Sequence, residues 1–494
     1  MLHWPLVIVV AHVAVIVRAL LVEGRDPYSR AAWVLALLLF PIVAPVAYLM
    51  VGEPWVSAKF RRQADRAYNL LIALELEPRD DQALKAVPRV YHIPFKAIEQ
   101  IGKFGTAGGN HVTLTTDSNA AISEMVSDID AARRRVHLTT YIWLIDHNGL
   151  AIVDALMRAA KRGVRCRVCA DAIGSRQMIR SEHWEAMQRA GISLCRSLRV
   201  PYGLSFLAAH RVDLRNHRKM LIIDGGIAFV GSQNLADPEF RIKPKFAPWI
   251  DIMLRVEGPV VAQHDILFAS DWVIEMGEDL SGELHGHITP SKGNISAVSF
   301  GTGPLSHRGS MSQAFASVLY CAQEEVTITT PYFVPDPPLL SALIGCAQRG
   351  VVVSLVLPRR NDSRVIGAIS KALYPELVKA GVRLFEYRRG LLHSKTIVID
   401  QSLCLIGSSN MDRRSLELNF ENNMLFYCPE TVAAVVDRQR AYLALRARFR
   451  IHDVRASSIF VLSEKRQRSI NPVRCRRHET ASRCVVGRFE TASQ

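Results

Sequence analysis

Apolar and polar positions fall into three regimes along the chain. Residues 2–22 form an apolar run interrupted by Arg18, and residues 31–51 (AAWVLALLLFPIVAPVAYLMV) form an uncharged one. A run of the second kind is long enough to cross a bilayer, where prolines such as Pro41 and Pro45 are tolerated. The pattern therefore predicts a transmembrane hairpin over residues 1–55, turning at EGRDPYSR. Residues 56–110 read as a charged helical linker that ends in a loop, GTAGGN. Beyond it, short apolar runs alternate with amphipathic segments, the signature of a layered α/β unit. The last stretch, 451–494, is basic, lacks long apolar periodicity and is expected to be a disordered extension.

The α/β pattern occurs twice. VHLTTYIW (136–143) matches VTITTPYF (326–333), ALMRAAKRGVRCRVCAD (155–171) matches ALIGCAQRGVVVSLVLP (342–358), and QRAGISLCR (188–196) matches VKAGVRLFE (378–386). Two copies at this period indicate duplication and not a solenoid. The repeats are placed at 111–290 and 298–450, as layered units with mixed sheets packed about a pseudo-twofold axis.

Composition narrows the partners. The 494 residues are 49% hydrophobic and carry a net charge of +15, which favours an anionic partner: a membrane surface, a phosphate-bearing substrate or nucleic acid. The nine cysteines suggest no disulfide framework, in keeping with a reducing compartment. Cys166 and Cys169 are read as core thiols, because no second pair completes a zinc site. Lys59, Arg61, Arg62 and Arg66 follow the second apolar run, so the positive-inside rule puts the following domain in the cytoplasm.

The chemistry is carried by a motif that also occurs twice, H-x-K-x4-D-x6-G-S-x-N. Its residues are His217, Lys219, Asp224, Gly231, Ser232 and Asn234, then His393, Lys395, Asp400, Gly407, Ser408 and Asn410. In a strand, residues i and i+2 share a face, so each His and Lys project together. A two-residue turn at Gly225-Gly226 would set His217 opposite Asn234 and Lys219 opposite Ser232. The second copy would likewise set His393 opposite Asn410 and Lys395 opposite Ser408. Asp224 and Asp400 fall on the other parity and are expected to hold the hairpin without touching substrate. Each cluster alone is a phosphate site, with Ser232, Asn234, Ser408 and Asn410 as neutral donors. Two clusters face one phosphorus with two imidazoles, one to attack and one to act as acid and then base. Asp251 in WIDIM and Glu421 in NFENN are the candidates to orient the histidines. No metal or other cofactor is required.

The segments RNHRKMLIIDGGIAFVGSQNLADP, PWIDIMLRVEGPVV and LLHSKTIVIDQSLCLIGSSNMDRRSLELNFE resemble the phospholipase D superfamily, and within it the bacterial cardiolipin synthases. The likeness covers about residues 1–445 and extends to the N-terminal hairpin. It implies two phospholipase D-like repeats and transfer of a phosphatidyl group between two phosphatidylglycerol molecules. The products would be cardiolipin and glycerol, formed through a phosphohistidine. It also implies a multi-pass enzyme of the bacterial inner membrane, with phosphatidylglycerol and anionic lipid as partners and no nucleic acid. His217 is expected to attack and His393 to serve as general acid and base. The alternatives are a membrane-bound phospholipase D that uses water, and a nuclease of the same chemistry. The basic tail after about Arg450 departs from the family, whose members end in an apolar segment.

Overall fold

A computed structural model describes residues 4–22, 25–52, 56–73, 81–199, 211, 213–284 and 289–448. The expected disordered tail lies outside these residues. The first repeat supplies β1 (Ala107–Leu114), β2 (Arg135–Thr140), β3 (Arg165–Asp171) and β4 (Ser193–Ser197). It continues with β5 (Met220–Ile223), β6 (Ile227–Gly231), β7 (Trp249–Ile250) and β8 (Met253–Glu257). The second supplies β9 (Ile295–Thr302), β10 (Glu325–Thr329), β11 (Phe333–Val334), β12 (Val352–Pro358) and β13 (Arg383–Tyr387). It continues with β14 (Leu391–Leu392), β15 (Thr396–Ile399), β16 (Leu403–Gly407), β17 (Met411–Asp412) and β18 (Glu421–Tyr427), and β19 (Arg446–Arg448) follows.

These strands form one 15-stranded mixed sheet, in the order β19-β13-β12-β10-β15-β16-β18-β9-β1-β8-β6-β5-β2-β3-β4, with β7, β11, β14 and β17 in short separate pairs. The order reads the same from the centre outward in each repeat. β9 and β1 pair antiparallel at the join, and each is followed by four antiparallel and then two parallel pairings. The duplicated sequence thus yields two half-sheets related by a pseudo-twofold axis. The strands β12 and β16 are buried over nearly their whole length, as expected of near-continuous apolar runs, and β2 is as buried although its Arg135 and His137 must pair with Asp265. Cys166 and Cys169 fall in the core clusters on opposite faces of the sheet.

One expectation is corrected. Residues 56–110 are not a linker. Val56 and Phe60 pack with Leu214 and Phe420, while Phe95 and Ile98, on the helix His92–Gly102, are fully buried in the main core. The charged positions that suggested a linker are the solvent face of amphipathic helices.

The apolar N-terminus is divided into shorter elements. The run 31–51 is broken into the helix Pro27–Leu39, a five-residue helix Val43–Ala47 and a π-turn Tyr48–Gly52. Pro41 has no N–H to continue the ladder from the preceding turn. Among the described residues no helix is long and apolar enough to cross a membrane. The helices Trp4–Leu21 and Pro27–Leu39 do pack on each other through Val15, Ile16, Ala19, Trp33 and Leu37. Arg30 ties their turn by donating to the carbonyls of Leu20 and Val22 at 2.6 and 3.0 Å.

Candidate active site

Each repeated motif spans a hairpin, but its turn is one residue longer than the spacing suggested. Ile223 pairs with Ile227 and Ile399 with Leu403, so Asp224 and Asp400 belong to the turns. Asp224 and Gly225 have φ of 52° and 67°, and Asp400 and Gln401 have 47° and 51°. Two consecutive left-handed residues suit the twist of a hairpin, and Asp tolerates that region better than most side chains. The Asp224 carboxylate accepts from the backbone N–H groups of Arg133, Arg134 and Arg135 at 2.7–2.9 Å. Asp400 accepts from those of Gln323, Glu324 and Glu325 at 2.8–3.0 Å, and from Tyr91 Oη at 3.2 Å. Both aspartates therefore bolt the turn to the start of the neighbouring strand, at the end of the hairpin away from its histidine.

The register is accordingly corrected: Met220 opposes Val230 and Thr396 opposes Ile406, and the expected ladder pairing of Lys219 with Ser232 and Lys395 with Ser408 does not occur. A one-residue slip reverses which face each side chain meets. The chemical residues lie just outside the ladder, where the chain leaves the sheet. They are positioned there by the other repeat. His217 N–H donates to Phe420 O at 2.9 Å, and His393 N–H donates to Ile250 O at 2.8 Å. β14 pairs parallel with β7, and Asn216 bridges to Phe420, in matching places on the two sides of the axis.

That exchange decides the carboxylates. His217 Nδ1 is 2.9 and 3.0 Å from the two oxygens of Glu421, in repeat 2. His393 Nδ1 is 2.6 Å from Asp251 Oδ1, in repeat 1. Each ring thus donates its Nδ1–H to a carboxylate that follows the opposite hairpin, which leaves its Nε2 with the free lone pair. Ser232 Oγ donates to Asp251 at 2.6 Å, and Ser408 Oγ donates to Glu421. Each hydroxyl has one proton, so these serines fix the carboxylates and have none left for a phosphate oxygen. Lys219 Nζ donates to His217 O at 2.7 Å and Lys395 Nζ to His393 O at 2.5 Å, with further protons free on each ammonium. Asn234 Oδ1 accepts from Ile142 N–H at 3.2 Å, while Asn410 Oδ1 is buried without a hydrogen-bond partner.

Burial governs the charge states. It lowers His217 to about 4, against the opposing pull of Glu421, and lowers His393 as well, so both imidazoles are neutral near pH 7. Burial also lowers Lys219 to about 7 and Lys395 to about 8. For Asp251 and Glu421 burial acts upward, but the histidine facing each, its hydrogen bond and the lysines outweigh it, so both stay ionised below the usual range. Lys395 acts on His217 and Lys219 on His393, so the two clusters share one electrostatic site.

Sequence reasoning missed three neighbours. The Tyr141 ring meets His217 edge-on at 4.8 Å, the Trp249 ring lies 4.7 Å from His393, and Asn422 Oδ1 accepts from Lys219 N–H at 3.0 Å. Trp249 and Asn422 adjoin the two orienting carboxylates in sequence, which was the available signal. Among the described residues no group of three or more His, Cys, Asp or Glu side chains is arranged to hold a metal.

Two half-sheets about a pseudo-twofold axis, each contributing a His, a Lys and the other's carboxylate, define a protein of the phospholipase D class. The family model for the phospholipase D-like domain of cardiolipin synthase matches residues 125–272 and 316–440, and a phospholipase D-nuclease N-terminal model matches residues 8–53. Cardiolipin synthase A of Klebsiella pneumoniae is 37% identical over 420 residues, covering 81% of this chain and 84% of that relative. The Escherichia coli O1:K1 enzyme of the same name is 36% identical over 419 residues with the same coverage. The chain belongs to the cardiolipin synthase family. The solved phosphatidylserine synthase of Haemophilus influenzae Rd KW20 shares the fold, with a TM-score of 0.55 at 13% identity over 77% of this chain and 98% of that one.

Proposed function

We propose that the chain transfers a phosphatidyl group between two phosphatidylglycerol molecules, forming cardiolipin and releasing glycerol. The observation that carries this reading is the pair of buried imidazoles, one from each repeat. Each is held at Nδ1 by a carboxylate of the other repeat. In the first step His217 Nε2 attacks the donor phosphorus, the N–P bond forms and the P–O bond to the headgroup glycerol breaks. His393 gives the leaving alkoxide the proton that it took from the acceptor in the preceding turnover. In the second step neutral His393 takes the proton of an acceptor hydroxyl, the new P–O bond forms and the N–P bond breaks. Lys219 and Lys395 offset charge on the nonbridging oxygens, which is worth most in a water-poor site. The sites of Asp251 and Glu421 are those of positioning residues that hold the tautomer and steady the imidazolium.

The N-terminal hairpin supports a lipid-bound enzyme. Leu38, Leu39, Phe40, Ile42 and Val43 form a continuous apolar stretch, each at least 61% exposed. An exposed patch of this kind is suited to lipid. Asp26 in the turn lies 3.8 Å from Arg413, just after the second motif, so the hairpin stands beside the catalytic repeats. We place it in the cell membrane, with the repeats on the cytoplasmic face.

The test uses membranes bearing the full chain and phosphatidylglycerol labelled in its phosphatidyl group, with His217→Ala and His393→Ala as controls. Labelled cardiolipin with equimolar glycerol, absent from both variants, is the expected result. Phosphatidic acid as the sole product would make water the acceptor and overturn the transferase reading.

A further inference from the structure

Transfer needs two lipids, yet the paired histidines surround only one phosphorus. The two repeats differ at the place where a second headgroup could be held. In repeat 1 the chain after β3 is closed by Asp171, which accepts from the N–H groups of Ile173, Gly174 and Asn216 ahead of a four-residue helix, Arg176–Ile179. In repeat 2 the chain after β12 opens instead into a cavity of about 300 Å³ in front of the helix Arg364–Lys379. The C-terminal edge of parallel strands is where open α/β sheets receive ligands.

The lining is built for an anion. Arg359, Arg364 and Lys371 border the cavity, and none of them forms an ion pair among the described residues. Asn361 and Ser363 add polar groups, fixed by hydrogen bonds to Pro331 O and from Ile366 N–H. Gly367 keeps the wall open: a Cβ there would stand 3.1 Å from Asn361 Cβ. On the same helix Val365 is 68% and Ile369 43% exposed, an apolar pair beside the cationic mouth. One wall of the cavity leads toward the second motif: Pro331 follows Thr330, whose Oγ1 accepts from Met411 N–H at 3.3 Å, next to Asn410. Asp362, between Asn361 and Ser363, accepts from Tyr332 Oη at 2.7 Å and is paired with Lys243 of repeat 1 at 2.6 Å.

We propose that this cavity holds the phosphate-bearing headgroup of the second, acceptor phospholipid, with its acyl chains running over Val365 and Ile369. The acceptor role rests on the transferase reading above; the binding of a lipid phosphate does not. Arg359 and Arg364 grip the phosphate, and the bound headgroup presents its glycerol hydroxyl to His393.

The first arm measures cardiolipin and phosphatidic acid formed by the full chain in detergent micelles over a range of phosphatidylglycerol concentration. Removing two charge-assisted contacts in Arg359→Ala/Arg364→Ala is expected to raise the concentration for half-maximal cardiolipin formation about tenfold or more. The share of phosphatidic acid should rise as water replaces the acceptor. Gly367→Leu, which fills the cavity and keeps every charge, should do the same. Unchanged concentration dependence and product ratio in both variants, with wild type making cardiolipin, would overturn the proposal. The second arm is calorimetry on the His217→Ala chain, which separates binding from turnover. Short-chain phosphatidylglycerol should bind more weakly once Arg359 and Arg364 are removed, and inorganic phosphate more weakly than the lipid throughout. Equal affinity for lipid and phosphate would reject a lipid subsite in favour of a free-phosphate one. Wild type that makes no cardiolipin would sink the transferase reading, and the calorimetry would still decide whether the cavity takes lipid.

Discussion

Three backbone N–H groups converge on each of Asp224 and Asp400, and none of those contacts involves a histidine. Asp224→Asn loses a charged acceptor and turns an N–H donor toward N–H donors. It is expected to cost about 1–3 kcal/mol in thermal or denaturant unfolding while the folded fraction keeps most of its turnover. An unaltered melting temperature with lost activity would show that Asp224 acts in the chemistry. Glu421→Gln should behave in the opposite way, with a near-normal melting temperature and kcat lowered by up to about 10⁴-fold, as when a neutral amide stabilises the wrong tautomer. The lysines set the pH response. Lys219 at about 7 and Lys395 at about 8 lose their protons as pH rises, while His217 at about 4 keeps its lone pair on moving down to that value. The rate of cardiolipin formation should therefore fall above pH 7–8 and persist on the acid side. A rate that climbs steadily to pH 10 would mean that charged lysines are not needed.

At the scale of the element, the two motif glycines explain how carboxylate and hairpin come together. Gly231 packs against Ile252 O, where a Cβ would stand 2.2 Å away, and Gly407 packs against Asn422 O, where it would stand 2.3 Å away. These approaches let Ser232 and Ser408 reach Asp251 and Glu421. Gly231→Ala is expected to destabilise the fold by about 1–3 kcal/mol through overpacking and to slow turnover by displacing Asp251. A stable and fully active Gly231→Ala protein would refute this reading. The strands of both hairpins were legible, because apolar residues flank turn-forming ones. The turn length was not, because Asp is itself a left-handed turn residue and the contacts that draw it there come from 90 residues upstream. Proline had the reverse effect at the N-terminus: hydropathy promised one span over 31–51, and Pro41 divided it. The exposed apolar stretch still predicts a behaviour. Replacing Leu38, Ile42 and Val43 together with Glu should release the enzyme from phosphatidylglycerol vesicles and spare its action on short-chain lipid, a difference that flotation and product assays can read.

Across the whole molecule, neither repeat is complete. Each histidine is aligned by a backbone carbonyl and a carboxylate of the other half, so the site forms only when the two half-sheets join at β1 and β9. The repeat, the motif and the identities of Asp251 and Glu421 could be read from the sequence, because duplication preserves spacing. The crossing could not, because nothing in the spacing says which histidine each carboxylate will meet. The pocket of repeat 2 was equally hidden, since Arg359, Arg364 and Lys371 lie in no recognisable motif and gather only when β12 and its helix fold together.

The central claim is that His217 carries the phosphatidyl group while His393 moves protons. The most direct measurement gives the His393→Ala chain a phosphatidyl ester of 4-nitrophenol, a leaving group that departs without a general acid. With no base to activate the acceptor, the phosphoenzyme should accumulate. The expected result is one burst of nitrophenolate per site and a phosphatidyl mass on the peptide containing His217. No burst, or the mass on any other residue, would contradict the account.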